Sequence, residues 1–216
     1  TSDSDLTKSK MIMTNKNQIV PFCSIQNNKI ILNGKSVFET DSDSFADFSK
    51  KAYQEFEMNY PKFFKMDNMS KLAFIGAELL LKSKINPKQE NNFALVLSNN
   101  SSSLDTDVKY QKSISNPAEY YPSPAVFVYT LPNICLGEIS IRHQLKSENC
   151  FFIFEQFNPE FLSHYANVLM QTKKAEKVLC GWVEYFEENY NGFLYLLENE
   201  GDLQEQLKFI KTVYKP

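Results

Sequence analysis

Arginine is nearly missing from this 216-residue chain: Arg142 is the only one among 23 basic residues. One guanidinium leaves a single point for bidentate capture of a phosphate or carboxylate. A formal net charge of −3 and a pI near 5.5 exclude the concentrated basic surface a nucleic-acid binder needs. Histidine is almost as scarce, with only His143 and His164, so no Ser-His-Asp or Cys-His constellation can be assembled with any specificity. The four cysteines, Cys23, Cys135, Cys150 and Cys180, lie far apart and form no C-x-x-C pair. That spacing excludes a clustered zinc set and reads as reduced, mostly buried thiols of a cytosolic protein. No apolar run reaches the roughly 18 residues of a membrane span. The polar start, Thr1 to Lys10, lacks the apolar core of a signal peptide. The sequence therefore reads as cytoplasmic, with no membrane span, no nucleic acid, no metal and no cofactor.

What is present suits a folded domain. Apolar residues make up 43% and aromatics 14%, ample for a core at this length. Residues 1–16 read as a disordered segment and 17–216 as a single domain without repeats. Pro21 to Ile25 and Lys29 to Leu32 flank an Asn-rich turn and predict a hairpin. Asp43 or Ser44 heads a helix with Phe45, Phe48, Ala52 and Phe56 on one face. Asn68 or Ser70 begins a second helix, to Lys82, apolar most of the way round and so covered on both sides. Phe93 to Leu97 is a continuous apolar strand, and Asp105 can start another helix. Leu131 to Gln144 reads as helix after Pro132, and 149–155 as a second core strand. Asn158 then caps a helix opened by Pro159. Strands at 177–186 and 192–198 and a helix capped by Asp202 complete the chain. The alternation implies an α/β class: an α/β/α layered sheet, mixed if the last two strands form a hairpin.

Three stretches resemble the N-terminal half of a β-ketoacyl-ACP synthase, a member of the thiolase-fold family. Asn68-Met-Ser-Lys-Leu-Ala-Phe-Ile-Gly-Ala-Glu-Leu-Leu-Leu81 is similar to that family's early helix. Pro132-Asn133 with Gly137-Glu-Ile-Ser-Ile141 resembles the helix beneath its nucleophile. Glu176-Lys-Val-Leu-Cys-Gly181-Trp-Val-Glu184 resembles the strand after the nucleophile helix. The order and spacing match along most of the chain and imply half of a thiolase-like fold.

The resemblance also places the family's cysteine. Counted from Asn149, the nucleophile position falls on Gln156, and a carboxamide cannot form a thioester. The supporting histidines belong to the family's second half, and neither His143 nor His164 stands at their places. The implied protein is a pseudoenzyme, a chain-length-factor-like accessory subunit in bacterial fatty-acid, polyene or polyketide-type lipid biosynthesis. Its implied partner is a full-length ketosynthase, or itself as a homodimer, with acyl carrier protein as a possible transient partner. By resemblance the 149–155 strand is a sheet edge that pairs across the dimer, which makes Asn149, Cys150, Phe152, Phe154 and Phe157 candidate interface or tunnel residues. The alternatives are an active thiol acyltransferase or hydrolase using Cys150, and a homodimeric acyl-binding protein.

The bland readings are structural. Gln156 can be a polar residue at a strand end, and Cys150, among phenylalanines, an inert buried thiol. Asn133 and Gly137 read as allowing close helix packing under the sheet, and Gly181 and Trp182 as core. The helix after Pro159 shows an apolar face of Phe161, Leu162, Tyr165, Ala166 and Leu169. Glu160, Ser163, His164, Asn167, Gln171 and Lys174 form a stripe suited to water.

Overall fold

A computed structural model describes residues 20–86, 88–198 and 202–216; the expectation for residues 1–16 lies outside them. The chain opens with an antiparallel meander, β1 (Phe22–Gln26), β2 (Lys29–Leu32) and β3 (Lys35–Glu39). Asn27 and Asn28 turn the first corner with φ of 49° and 56°, a left-handed geometry that asparagine tolerates better than most residues. β3 is a strand that the sequence pattern does not announce. It is mostly exposed, so no apolar alternation marks it.

Helix α1 (Phe45–Glu55) starts where Ser44 accepts a hydrogen bond from Asp47 N. Pro61 opens a 3-10 turn, Pro61–Lys65. Helix α2 (Asn68–Leu81) is capped by Asp67, whose Oδ1 accepts from Ser70 N at 3.0 Å, so the cap lies one residue before Asn68 and three before Ser70, the two expected candidates. The helix is buried almost all round, as its apolar content predicts. β4 (Phe93–Asn99) is buried throughout. After α3 (Leu104–Ile114), a 3-10 turn at Pro117–Glu119 and α4 (Pro124–Val128) come α5 (Ile134–His143) and β5 (Asn149–Ile153). Asn158 Oδ1 accepts from Phe161 N to start α6 (Pro159–Gln171). β6 (Lys177–Phe186), β7 (Asn189–Glu198) and α7 (Leu203–Val213), capped by Asp202, close the chain.

Among the described residues, seven strands form one sheet in the order β3-β2-β1-β7-β6-β4-β5. β4 is parallel to both β5 and β6, while the β6–β7 hairpin and the meander are antiparallel. Two apolar layers flank this mixed sheet. One joins α1, α2 and α5 through Phe48, Leu72, Phe74 and Ile139. The other joins α6 and α7 through Leu162, Ala166, Leu169 and Ile210. The α/β/α layering read from the sequence is the fold observed.

Among the described glycines, Gly181 lies closest to neighbouring backbone. A Cβ there would meet Phe193 O at 2.5 Å and Leu194 Cα at 3.0 Å, and Trp182 beside it is buried. Gly137 differs from its expected role, because a Cβ there would meet nothing within 4 Å. Asn133 is exposed and heads α5 without a side-chain cap bond. Neither residue is needed for close packing under the sheet. The water-facing stripe of α6 also needs amending: Ser163 is fully buried against Tyr195 Oη at 3.2 Å, whereas Phe161 on the apolar side is 41% exposed.

Candidate functional site

The parallel strands β4, β5 and β6 end on one side of the sheet, the side where α/β folds place ligands and reacting groups. Two loops meet there. Residues 100–103 leave β4, and residues 154–158 leave β5. Asn99 pins the first loop, donating to Ser102 O and accepting from Ser102 N. Asn100 then donates from Nδ2 to Phe154 O at 3.2 Å and Glu155 O at 3.0 Å. Glu184 on β6 collects Asn100 N, Ser101 N and the Ser101 hydroxyl. These bonds hold the exit of β5 against its neighbours, one residue ahead of Gln156.

Gln156 is exposed at this exit, between β5 and the Asn158 cap. Phe157 turns inward, with ring centroids 6.2 Å from Trp182 and 4.5 Å from Tyr214. It belongs to the α6/α7 core and does not form an outward wall beside Gln156.

Cys150 is half-buried, less covered than expected, and its Sγ lies 3.2 Å from Tyr165 Oη. That bond pushes the Tyr165 phenol up to about 12. His164 is exposed, with Nδ1 2.7 Å from Glu160 O in its own helix. His143 lies under the other face of the sheet, packed beside Phe74. Among the described residues no histidine bonds a cysteine, so a thiolate–imidazole pair is not assembled. Burial pushes the Cys23 thiol up to about 12 and raises Cys135 and Cys180 as well, leaving three inert thiols.

Among the described residues, β5 is one of the two edges of the sheet. Leu95 N donates to Glu148 O and Phe154 N to Asn99 O. Alternation along the parallel ladder then directs the backbone groups of Asn149, Phe151 and Ile153 away from β4. Residues 149–154 carry no charge. On the α6 side Phe152, Phe154, Phe161 and Tyr165 form a ring cluster, with Phe152 and Phe161 centroids 4.9 Å apart. Ile153 and Val168 add exposed apolar surface, 49% and 54% accessible. The opposite edge, β3, is blunted by Lys35, Glu39 and a register shift at Ile30/Ile31 in the adjoining pair, devices that discourage pairing.

Sequence reasoning missed a polar cluster between α2 and α5. Glu78 and Glu138 are 2% and 3% exposed. Arg142 grips Glu78 and also donates to Asn59 O. Lys62, Tyr60 and Tyr129 converge on Glu138. Helical spacing places both carboxylates among apolar neighbours, and that position is the signal that could have found them.

No family model matches the sequence, and no curated protein matches it. Solved structures do. The fold aligns with the ishigamide ketosynthase/chain length factor at TM-score 0.64 and 17% identity, covering 83% of this chain and 61% of that one. It aligns with the ketosynthase ApeO in complex with its chain length factor ApeC from Xenorhabdus doucetiae at TM-score 0.54 and 14% identity, covering 85% and 80%. A third match is AntDE:AntF, a type II PKS acyl-carrier protein in complex with its ketosynthase, at TM-score 0.56 and 15% identity, covering 83% and 61%. The chain thus spans about three fifths of the matched chain in two of these structures. It carries the fold of ketosynthase and chain-length-factor proteins, half of a thiolase-like fold.

Proposed function

We propose that this chain is a non-catalytic, chain-length-factor-like accessory subunit that pairs through β5 with a complete ketosynthase. The setting is a fatty-acid, polyene or polyketide-type pathway in the cytoplasm, with acyl carrier protein as a transient partner. The observation that carries the reading is the contrast between the two sheet edges. β3 is charged and irregular, while β5 is uncharged, regular and flanked by exposed Ile153, Phe161 and Val168. An apolar edge of that kind is a template for another strand and a hazard when bare. Gln156, exposed at the exit of β5, supports the absence of acyl-transfer chemistry, because a carboxamide offers no thiolate. Asn149, Cys150, Phe152 and Phe154 then belong to the paired strand.

The outward groups of Asn149, Phe151 and Ile153 are symmetric about Phe151, which also suits antiparallel pairing with a second copy; that homodimer is the second reading. The chemistry is tested by mass spectrometry after incubation with acyl-CoA and with acyl-loaded carrier protein. The expected result is an unmodified chain. A stoichiometric acyl adduct on Cys150 would overturn the non-catalytic reading in favour of thiol acyl transfer.

A further inference from the structure

Among the described residues, the cluster between α2 and α5 holds one buried ring nitrogen without a hydrogen bond, His143 Nε2. His143, in the last turn of α5, is 3% exposed, and its Nε2 stands 3.3 Å from Glu78 Oε2. The approach makes no hydrogen bond, and both Glu78 oxygens accept from Arg142. Two elements face the ring. From α2 it faces the Glu78 carboxylate and the Phe74 ring, 6.5 Å away. From its own helix it faces Arg142, whose guanidinium lies over Tyr60 of the preceding segment at 5.7 Å. A proton on His143 would set two cations around one carboxylate and turn a neutral buried group of charges into a positive one.

The backbone here is a junction. His143 O accepts from Asn91 Nδ2 at 3.0 Å, Gln144 turns through φ 51°, and Leu145 N returns to Ser140 O. Leu145 bridges Asn91 just ahead of β5.

We propose that the turn from His143 to Leu145 is an acid-opened latch, in which a proton on His143, buried beside the Arg142 guanidinium, is relieved by opening the end of α5 to water, which slackens the lead into β5. As a regulator of pairing it rests on the reading of β5 given above; as a latch it is a property of this chain alone. Burial holds the ring's pKa at about 4, against 6.5 when it is open to water. Between those values the open form binds more protons than the closed one, so closure is fully favoured above 6.5 and weakens as pH falls toward 4. From pH 7 to pH 5 the closing equilibrium drops about twentyfold.

Amide hydrogen exchange on the whole chain tests this. After correction for intrinsic rates, protection at 140–148 should lie below that of β6 and β7 at pH 7 and fall about twentyfold by pH 5. His143→Gln should show no such fall. Unchanged protection, or an equal fall in His143→Gln, would overturn the latch. If that variant does not fold, His143→Asn takes its place, and a fall there equal to the wild type's refutes the latch. Failure of the pairing reading is seen separately, as no ketosynthase retained at pH 7, whatever the exchange shows.

Discussion

Arg142 holds Glu78 at two points, with Nη2 2.8 Å from Oε1 and Nε 3.1 Å from Oε2. The sole arginine of the chain is thus spent on a carboxylate that is 2% exposed. A lysine cannot reproduce the fork, and removing the cation leaves a buried charge unpaired. Arg142→Lys should cost about 1–2 kcal/mol and Arg142→Ala about 3 kcal/mol, read from urea midpoints at pH 7. Wild-type midpoints in both variants would show that the pair contributes nothing.

Two glycines should respond in opposite directions. Gly181→Ala drives a Cβ to 2.5 Å from Phe193 O, and backbone on both strands must shift. A loss of about 2–4 kcal/mol is expected. Gly137→Ala meets open space within α5 and should stabilise by about 0.5–1 kcal/mol through helix propensity. Thermal melts of the two variants check both signs at once.

Stability should fall at alkaline pH. Burial, then the facing Glu138, raises the Tyr129 phenol; burial, then its bond to Glu188, raises Tyr185; burial raises Tyr195. The unfolded chain ionises these groups near pH 10, while the folded chain keeps their protons. The unfolded state therefore binds fewer protons above pH 10, and stability declines as pH rises. Urea midpoints at pH 8, 10 and 11 should drop in the wild type and drop less in Tyr129→Phe. Parallel curves would contradict the assignment.

The parts of the fold that were legible obey a period or a punctuation mark. The near-continuous apolar surface of α2, the Asn158–Pro159 start of α6 and the β6–β7 hairpin each follow from local chemistry. β3 was not legible because all its side chains but Phe38 are exposed and its two apolar residues, Val37 and Phe38, are adjacent and do not alternate. Glu78 and Glu138 escaped notice because a carboxylate in a helix reads as solvent-facing until its cation, sixty or more residues away in sequence, is brought beside it. Ser163 misled for a related reason, since its hydroxyl is satisfied by Tyr195 on a strand thirty-two residues on. At the site, the likeness of the three motifs located the exit of β5. The inward turn of Phe157 depends on Trp182, Phe193 and Tyr214, contacts that no local pattern encodes.

The central claim is tested most directly by affinity purification of the tagged chain from its native host at pH 7, with the bound protein identified and its stoichiometry measured by mass spectrometry. Ile153→Lys serves as the matched variant, placing a charge on the exposed edge without touching the core. The account predicts a full-length ketosynthase near one-to-one with the wild type and its loss with Ile153→Lys. Recovery of a homodimer with no synthase, or equal recovery of the synthase by the variant, would contradict it.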